Sequence, residues 1–193
     1  INHGDDRDLF VGNEQMPVHF PYFNKSFFRF SLAAVPAGKT ILSAKLYLYH
    51  WGNAEPSLAV DSWVHLFSIR DAWGENTITW NNAPLAQENI ALSWMEPIRG
   101  NGYSEIPREY FWDATQAVAE SYAAGQPVSL AIYSSDVDQH SSRYLYGSEA
   151  DDWLAAYRPK LVVVWGLAAP TVTKTAHPLL ATNGTTVNYS LSW

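Results

Sequence analysis

Alternation of side-chain character with a period of two residues covers much of the chain and confines it to β-structure. The stretch 45–51 reads KLYLYHW, so its leucines fall on one face and its tyrosines and tryptophan on the other. Similar runs lie at 27–30, 60–69, 128–133 and 160–165. Between the runs stand turn-forming groups such as Pro36–Gly38, Asn81–Pro84 and Gly100–Gly102. Short strands separated by such groups predict a sandwich or barrel.

One segment departs from this pattern and predicts a short helix. Asp113 and Gln116 have the spacing of a capping box, in which Asp113 is the N-cap and Gln116 reaches back to it. Apolar residues then recur at helical spacing, namely Ala114, Ala117, Val118 and Tyr122. Gly125 suits the C-terminal stop. We expect one short helix laid across the end of a sheet.

Composition excludes several classes of function. The 193 residues carry a formal net charge of −7, which disfavours nucleic acid because affinity there depends on neutralising phosphates with Lys and Arg. The chain has no cysteine, so thiol catalysis, thiolate metal sites and disulfides are excluded. No apolar run approaches the ~18 residues of a membrane-spanning helix, and we expect no membrane insertion. Aromatic residues make up 15% of the chain, which is typical of a sheet core with further rings at a binding face.

The composition changes near Gly166 and indicates a domain boundary. Residues 167–170 are small and end in proline, as a linker does. Residues 171–193 hold two alternating strands, rich in Thr and Ser, around Asn183–Gly184. Two strands alone are marginally stable in water. We therefore expect this tail to begin a second domain or to pair with something else.

A series of short motifs runs in order through residues 1–166. They are Leu9–Gly12, Lys25–Leu32, Val35–Gly38, Ile41–Tyr49, Trp73–Glu75, Thr79–Pro84, Asp113–Thr115, Gly147–Glu149 and Arg158–Val163. In content and order they resemble the DNRLRE domains, also classed as family 96 carbohydrate-binding modules. The resemblance implies a jelly-roll-like antiparallel β-sandwich with one short helix. It also implies a non-catalytic module of a larger secreted or cell-surface protein, located outside the cell.

The same resemblance bears on individual residues. It implies that Trp80 is a core ring and that Asn81 and Asn82 form a turn. Lys25 and Ser31 stand where the family usually has Arg and Asp, and some relatives bind alginate-type uronates. Relatives also begin with a strand that would precede Asn2–Gly4. Either that strand lies outside the given sequence, or the fold has an open edge that another strand must fill.

The tail resembles the start of an immunoglobulin-like repeat common in bacterial surface proteins. The segment Thr171–Ala176 and the later stretch 184–191 carry that resemblance. It implies a surface location, with residues 171–193 as the first strands of the repeat or as a donor strand.

Candidate site residues are few. The chain lacks the G-x-S-x-G, H-E-x-x-H and Gly-rich phosphate motifs, and we expect no enzymatic activity. Glycan binding uses aromatic rings flanked by hydrogen-bond donors. Loop-like stretches offer the rings Trp94, Tyr103, Trp153 and Tyr157, with Arg143 and Arg99 as donors.

Two acidic clusters are candidates for calcium, because Ca²⁺ takes hard oxygen ligands from loops. Asp5, Asp6 and Asp8 form the first cluster, and Asp136 and Asp138 the second. The negative net charge disfavours alginate-type ligands unless Ca²⁺ bridges the carboxylates.

Two functions remain open. The first is a module that binds a polysaccharide or a cell-surface glycan, or mediates adhesion. The second is a structural subunit of an extracellular fibre. In the second, the open edge of one copy accepts the tail 171–193 of another by β-strand addition.

Overall fold

The structure is a computed structural model and describes residues 4–13, 23–99, 106–134, 140–167, 173–177 and 188–192. The strands are β1 (Asp8–Asn13), β2 (Phe23–Phe30), β3 (Lys39–Gly52), β4 (Ser62–Ser68), β5 (Glu88–Met95), β6 (Arg108–Asp113), β7 (Val128–Ser134), β8 (Arg143–Tyr146), β9 (Lys160–Leu167), β10 (Thr173–His177) and β11 (Asn188–Ser192). An α-helix, α1 (Thr115–Ala123), and a 3₁₀ helix, Asp152–Tyr157, complete the elements. The all-β fold with one short α-helix is as predicted.

Nine of these strands form one curled antiparallel sheet. Their order is β5-β4-β7-β2-β1-β8-β3-β6, and β9 also pairs with β3. The sheet curls until its end strands meet, since Ser93 Oγ of β5 donates to the carbonyl of Phe111 in β6 at 2.7 Å. Across the interior, Trp112 Nε1 of β6 donates to the carbonyl of Val64 in β4 at 2.8 Å. The two halves of the curled sheet thus enclose one core, as in a sandwich.

Strand alternation decides which side chains fill this core. In β3, Leu46 and Leu48 are fully buried. Tyr47 and Tyr49, which alternate with them, point outwards and are half-buried. The alternation predicted from the sequence is therefore confirmed for this strand. Other fully buried apolar side chains include Val11, Val64, Leu66, Val118, Leu130, Ile132 and Leu145.

β1 connects the two halves of the sheet. Its residues Asp8–Val11 pair with β8, and its last two residues, Gly12 and Asn13, pair with β2. Gly12 has a φ of 108°, and a Cβ there would lie 2.7 Å from the carbonyl oxygen of Ser141. Only glycine fits this close crossing.

The helix α1 differs from the prediction at its start. Ala114, not Asp113, is the N-cap, and no side chain caps the helix. Asp113 instead accepts a hydrogen bond from the Thr115 amide at 2.8 Å, and Gln116 Nε2 donates to Glu120 at 3.1 Å. The Ala114 amide is already used by the carbonyl of Ala44, which ties the helix start to β3. The predicted stop at Gly125 is confirmed, since Gly125 has a φ of 65° just beyond the helix.

One edge of β2 is unpaired along most of its length. Residues 25–30 pair with β7 on one side, and no other described strand pairs with them. β9 likewise pairs with β3 alone among the described strands. We call the unpaired side of residues 25–30 the β2 edge.

The tail strands β10 and β11 pair with each other, antiparallel, as a two-stranded sheet. The division into residues 1–166, 167–170 and 171–193 stays a prediction. In the described part of the chain, no helix has the length and apolar character needed to cross a membrane.

Candidate functional site

A cleft of about 790 Å³ opens along the β2 edge. Strand β2 forms one wall, from Phe23 to Phe30. The loop between β4 and β5 and the segment that leads into β1 supply most of the rest. The loop contributes Trp73, Glu75, Ile78, Thr79, Trp80 and Ala83, the segment contributes Gly4 and Asp6, and β1 itself contributes Asp8, Leu9 and Phe10. We call this space the cleft.

Two indole rings from the loop face the cleft. Trp80 is 50% exposed, so its predicted place in the core is wrong. The ring of Trp73 lies 5.8 Å from that of Phe27 in β2. The loop packs against β2, where Trp73 approaches Phe27 and Trp80 approaches Lys25, so its rings lie outside the core that the strand residues fill.

Asn82 holds the loop that carries these rings. Its Oδ1 accepts from the Thr79 amide at 2.5 Å and from the Thr79 hydroxyl at 2.9 Å. Its Nδ2 donates to the carbonyl of Thr77 at 2.9 Å. The predicted turn-forming role is confirmed for Asn82, because its side chain satisfies backbone groups within the loop.

Two cations stack on aromatic rings at the cleft. Lys25 Nζ lies 4.5 Å from the ring centre of Trp80 and 4.3 Å from that of Tyr133. Burial lowers the pKa of Lys25. The guanidinium of Arg29 lies 4.6 Å from the ring centre of Trp73 and donates to its carbonyl. The ammonium group of Lys25 thus lies on the cleft wall against two ring faces.

Carboxylates also line the cleft. Burial raises the pKa of Asp8, while a side-chain hydrogen bond from Trp51 and the charge of Arg7 act against that rise. Asp6 and Glu75 lie nearby on the cleft wall. The cleft therefore combines ring faces, hydrogen-bond donors and hydrogen-bond acceptors. These are the groups that bind sugars, whose hydroxyls both donate and accept and whose C–H faces stack on rings.

A second aromatic surface lies on the outer side of β3 and β8. We call it the tyrosine face; its rings are Tyr49, Trp51, Tyr144, Tyr146 and Tyr157. Tyr157 stacks on Tyr146 at 5.5 Å and meets Tyr49 edge-on at 5.3 Å. Trp51 lies 5.4 Å from Tyr144 and 6.1 Å from Tyr146. These distances suit favourable aromatic contacts.

The structure separates the aromatic residues that the sequence singled out. Tyr157 and Trp153 lie on the 3₁₀ helix, where Tyr157 joins the tyrosine face and Trp153 is 79% exposed. Trp94 lies within strand β5 and not in a loop, 42% exposed, with its ring 4.9 Å from Trp63. Tyr103 falls outside the described residues. A ligand role for Trp94, Trp153 and Tyr157 stays a prediction.

Arg143 is buried in the interior and does not reach a surface ligand. It has 0% exposure, and its Nη2 donates to the carbonyls of Val60 and Met95 at 2.6 Å each. Its Nη1 donates to the carbonyls of Ser141 and Ser142. The prediction of Arg143 as a ligand-binding donor is therefore wrong, because its guanidinium satisfies buried backbone groups. Arg99 is exposed.

The acidic clusters are only partly described. Asp5 and Asp6 are exposed and Asp8 is half-buried, whereas Asp136 and Asp138 lie outside the described residues. Within the described ranges, no group of three or more His, Asp or Glu side chains is placed to hold a metal ion. Calcium binding stays a prediction.

Sequence reasoning missed Lys25, Trp73 and Trp80 as cleft residues. A signal was present, because Trp73 and Trp80 stand in a segment rich in turn residues and outside every alternating run. Rings in such segments are carried by loops and tend towards solvent.

Comparison with known proteins identifies one family. The sequence profile of carbohydrate-binding module family 96 matches residues 1–163. No curated protein matches the chain significantly. Because the profile covers most of the 193 residues, the chain belongs to carbohydrate-binding module family 96.

Proposed function

We propose that this protein is a non-catalytic module that binds a polysaccharide or a cell-surface glycan in the cleft, outside the cell or at its surface. Family membership supports a carbohydrate partner. The observation that carries the choice of site is the position of Trp80. It is half exposed at the rim of the cleft, with a lysine over its ring.

Trp80 supplies the stacking surface in this proposal. Its indole face packs on the C–H face of a sugar ring, as amphipathic rings do at wet binding sites. Asn82 fixes the loop from within, so little conformational freedom is lost when the ligand binds.

Lys25 supplies the main hydrogen-bond donor. Within the described ranges no carboxylate forms an ion pair with it. Its ammonium group instead contacts the rings of Trp80 and Tyr133. A sugar hydroxyl or carboxylate is therefore a suitable acceptor for its ammonium group. Negative charge on the protein, from Asp6, Asp8 and Glu75 in the cleft and from the net charge of −7, repels a polyanionic ligand. Such a ligand therefore binds only if Ca²⁺ screens these charges.

Retardation of the protein in gels that contain soluble polysaccharides tests the proposal. The panel contains xylan, mannan, a β-glucan and alginate, each with and without Ca²⁺. We expect retention by at least one polymer and loss of that retention in Trp80→Ala. Trp165→Ala is the matched control, because Trp165 is 40% exposed on β9 and does not line the cleft. Equal retention of both variants, or no retention by any polymer, contradicts the proposal.

A second candidate function is a fibre subunit assembled by strand exchange. The β2 edge favours it, because residues 25–30 present backbone groups that no described strand pairs with. An extended segment adds to such an edge through main-chain hydrogen bonds. The tail strands β10 and β11 of another copy are the donors in this alternative.

The mass of the protein in solution tests the second candidate. The full chain is compared with residues 1–166 at matched concentration. Assembly of the full chain alone supports strand exchange through the tail. Stable monomers of both chains leave glycan binding as the function of the cleft.

A further inference from the structure

The tyrosine face begins where the cleft ends. Phe10 of β1 lines the cleft, and its ring meets Tyr144 edge-on at 5.0 Å. From Tyr144 the row of rings continues through Trp51 and Tyr146 to Tyr157 and Tyr49, each within 6.1 Å of the next. The cleft and the tyrosine face are therefore parts of one surface, joined at β1.

Strand register explains why these rings share one side of the sheet. Phe10 stands opposite Tyr144, and Asp8 opposite Tyr146, in the β1–β8 ladder. The intervening Leu145 is fully buried. Since neighbouring strands lie ~4.8 Å apart, the row crosses β1, β8 and β3 over roughly 10 Å and extends the cleft by that much. A surface of this length exceeds what a single sugar ring covers.

Polar groups accompany the row at both ends. Next to the cleft, the half-buried carboxylate of Asp8 stands opposite Tyr146 in the β1–β8 ladder. At the far end, Lys160 Nζ donates to the Tyr49 hydroxyl at 2.9 Å and lies 3.6 Å from Glu109, to which Tyr49 also donates. Opposite charges are balanced there, which suits a hydroxyl-rich neutral ligand better than a polyanion.

The tyrosine face carries polar groups beside its ring faces, and both kinds of group suit a sugar ligand. The exposed aliphatic side chains of β3 and β9 are outside the tyrosine face; they are Leu42, Val162, Val164 and Leu167. Four of the five rings of the tyrosine face carry hydroxyl groups, which hydrogen-bond to sugars while ring faces stack.

We infer that the tyrosine face extends the cleft into one continuous track, and that the ligand is an internal stretch of a linear, largely uncharged polysaccharide. This inference rests on the proposed function. Trp80 and Lys25 hold one part of the polymer in the cleft, and Tyr146, Tyr157 and Tyr49 hold the next sugars along the same chain. Affinity then depends on how many sugars reach past β1.

Calorimetry with oligosaccharides of increasing length tests the track. The ligands are xylo-, manno- and gluco-oligosaccharides, from disaccharide to octasaccharide. We expect affinity to rise with length until the track is filled, with one ligand bound per protein. In Tyr157→Ala the octasaccharide should bind about tenfold more weakly, which is the loss of one stacking contact, ~1.4 kcal/mol. Short ligands should bind this variant as they bind the parent.

Each alternative outcome has its own meaning. Affinity that does not change with length, or two ligands per protein, overturns the track and leaves the cleft as a site of its own. A Tyr157→Ala variant that binds every length normally also overturns it. Binding by no oligosaccharide overturns the track and the proposed function together. If Tyr157→Ala loses its near-ultraviolet dichroism, Tyr49→Phe serves in its place, since it removes only the hydroxyl that links Lys160 and Glu109.

Discussion

Arg143 and His50 place two ionisable side chains in the interior, where both have 0% exposure. The guanidinium is stabilised by backbone carbonyls from three parts of the chain. His50 has one such partner, the carbonyl of Gly52, 2.8 Å from its Nε2. Burial, and then the charge of Arg143, lower the pKa of His50 to about 3. The imidazole is therefore neutral in the folded protein under ordinary conditions.

The neutral state of His50 predicts a pH dependence of stability. In the unfolded chain His50 takes up a proton below its ordinary pKa of 6.5, and in the folded chain only near 3. The stabilisation is thus complete above pH 6.5 and is lost as the pH falls from 6.5 to about 3. The loss amounts to at most ~5 kcal/mol. Urea unfolding across this range should show a flatter profile for His50→Gln than for the parent, and parallel profiles would contradict the assignment.

Substitution of Lys25 should lower polysaccharide affinity and leave the free energy of unfolding nearly unchanged. Its burial disfavours the ammonium form, while the rings of Trp80 and Tyr133 favour that form by ~0.5–1 kcal/mol each. In Lys25→Met these effects largely cancel, so we expect the free energy of unfolding to change by less than ~1 kcal/mol. Polysaccharide affinity should fall about tenfold or more, because a hydrogen bond to a charged donor contributes ~1.5–3 kcal/mol. Unchanged affinity would remove Lys25 from the site.

Among the elements, β1 has the most demanding position, because it pairs with β8 and then with β2 within six residues. The strand changes its pairing partner from β8 to β2 at Gly12. There the chain passes so close to Ser141 and Ser142 that their backbone atoms lie within 2.9 Å of a Cβ position. This strand also joins the cleft to the tyrosine face, so its placement positions both.

The close crossing at Gly12 can be tested by comparing Gly12 with Gly125, which also has a positive φ but lies outside β1. Gly12→Ala brings a methyl group against backbone atoms that cannot move aside, and we expect a loss of more than ~2 kcal/mol in unfolding free energy. Gly125→Ala also has a positive φ, 65°, but nothing lies within 4 Å of its Cβ position, so the loss should be ~1 kcal/mol. Equal losses in denaturant unfolding would show that φ alone, and not the close crossing, determines the effect.

At the scale of the whole molecule, the sequence predicts local pattern better than long-range placement. The runs at 128–133 and 160–165 become β7 and β9, because alternation is a local signal that any core imposes. Arg143 looked like a loop donor, since the carbonyls that bury it come from residues 83 and 48 positions away. The exposure of Trp80 likewise depends on how a loop is held against β2, which the sequence pattern does not encode.

The ladder between β9 and β3 has a mechanical consequence. It runs antiparallel from the pair Lys160–Tyr47 to the pair Leu167–Lys39, and the chain leaves the sheet at Leu167. Ladder hydrogen bonds lie perpendicular to the strands. Tension that pulls on the chain beyond Leu167, while a polymer is held near the other end of β9, therefore shears all of these pairs at once instead of unzipping them singly. We therefore expect the domain to resist unfolding when force acts between the C-terminal end of β9 and a bound polymer.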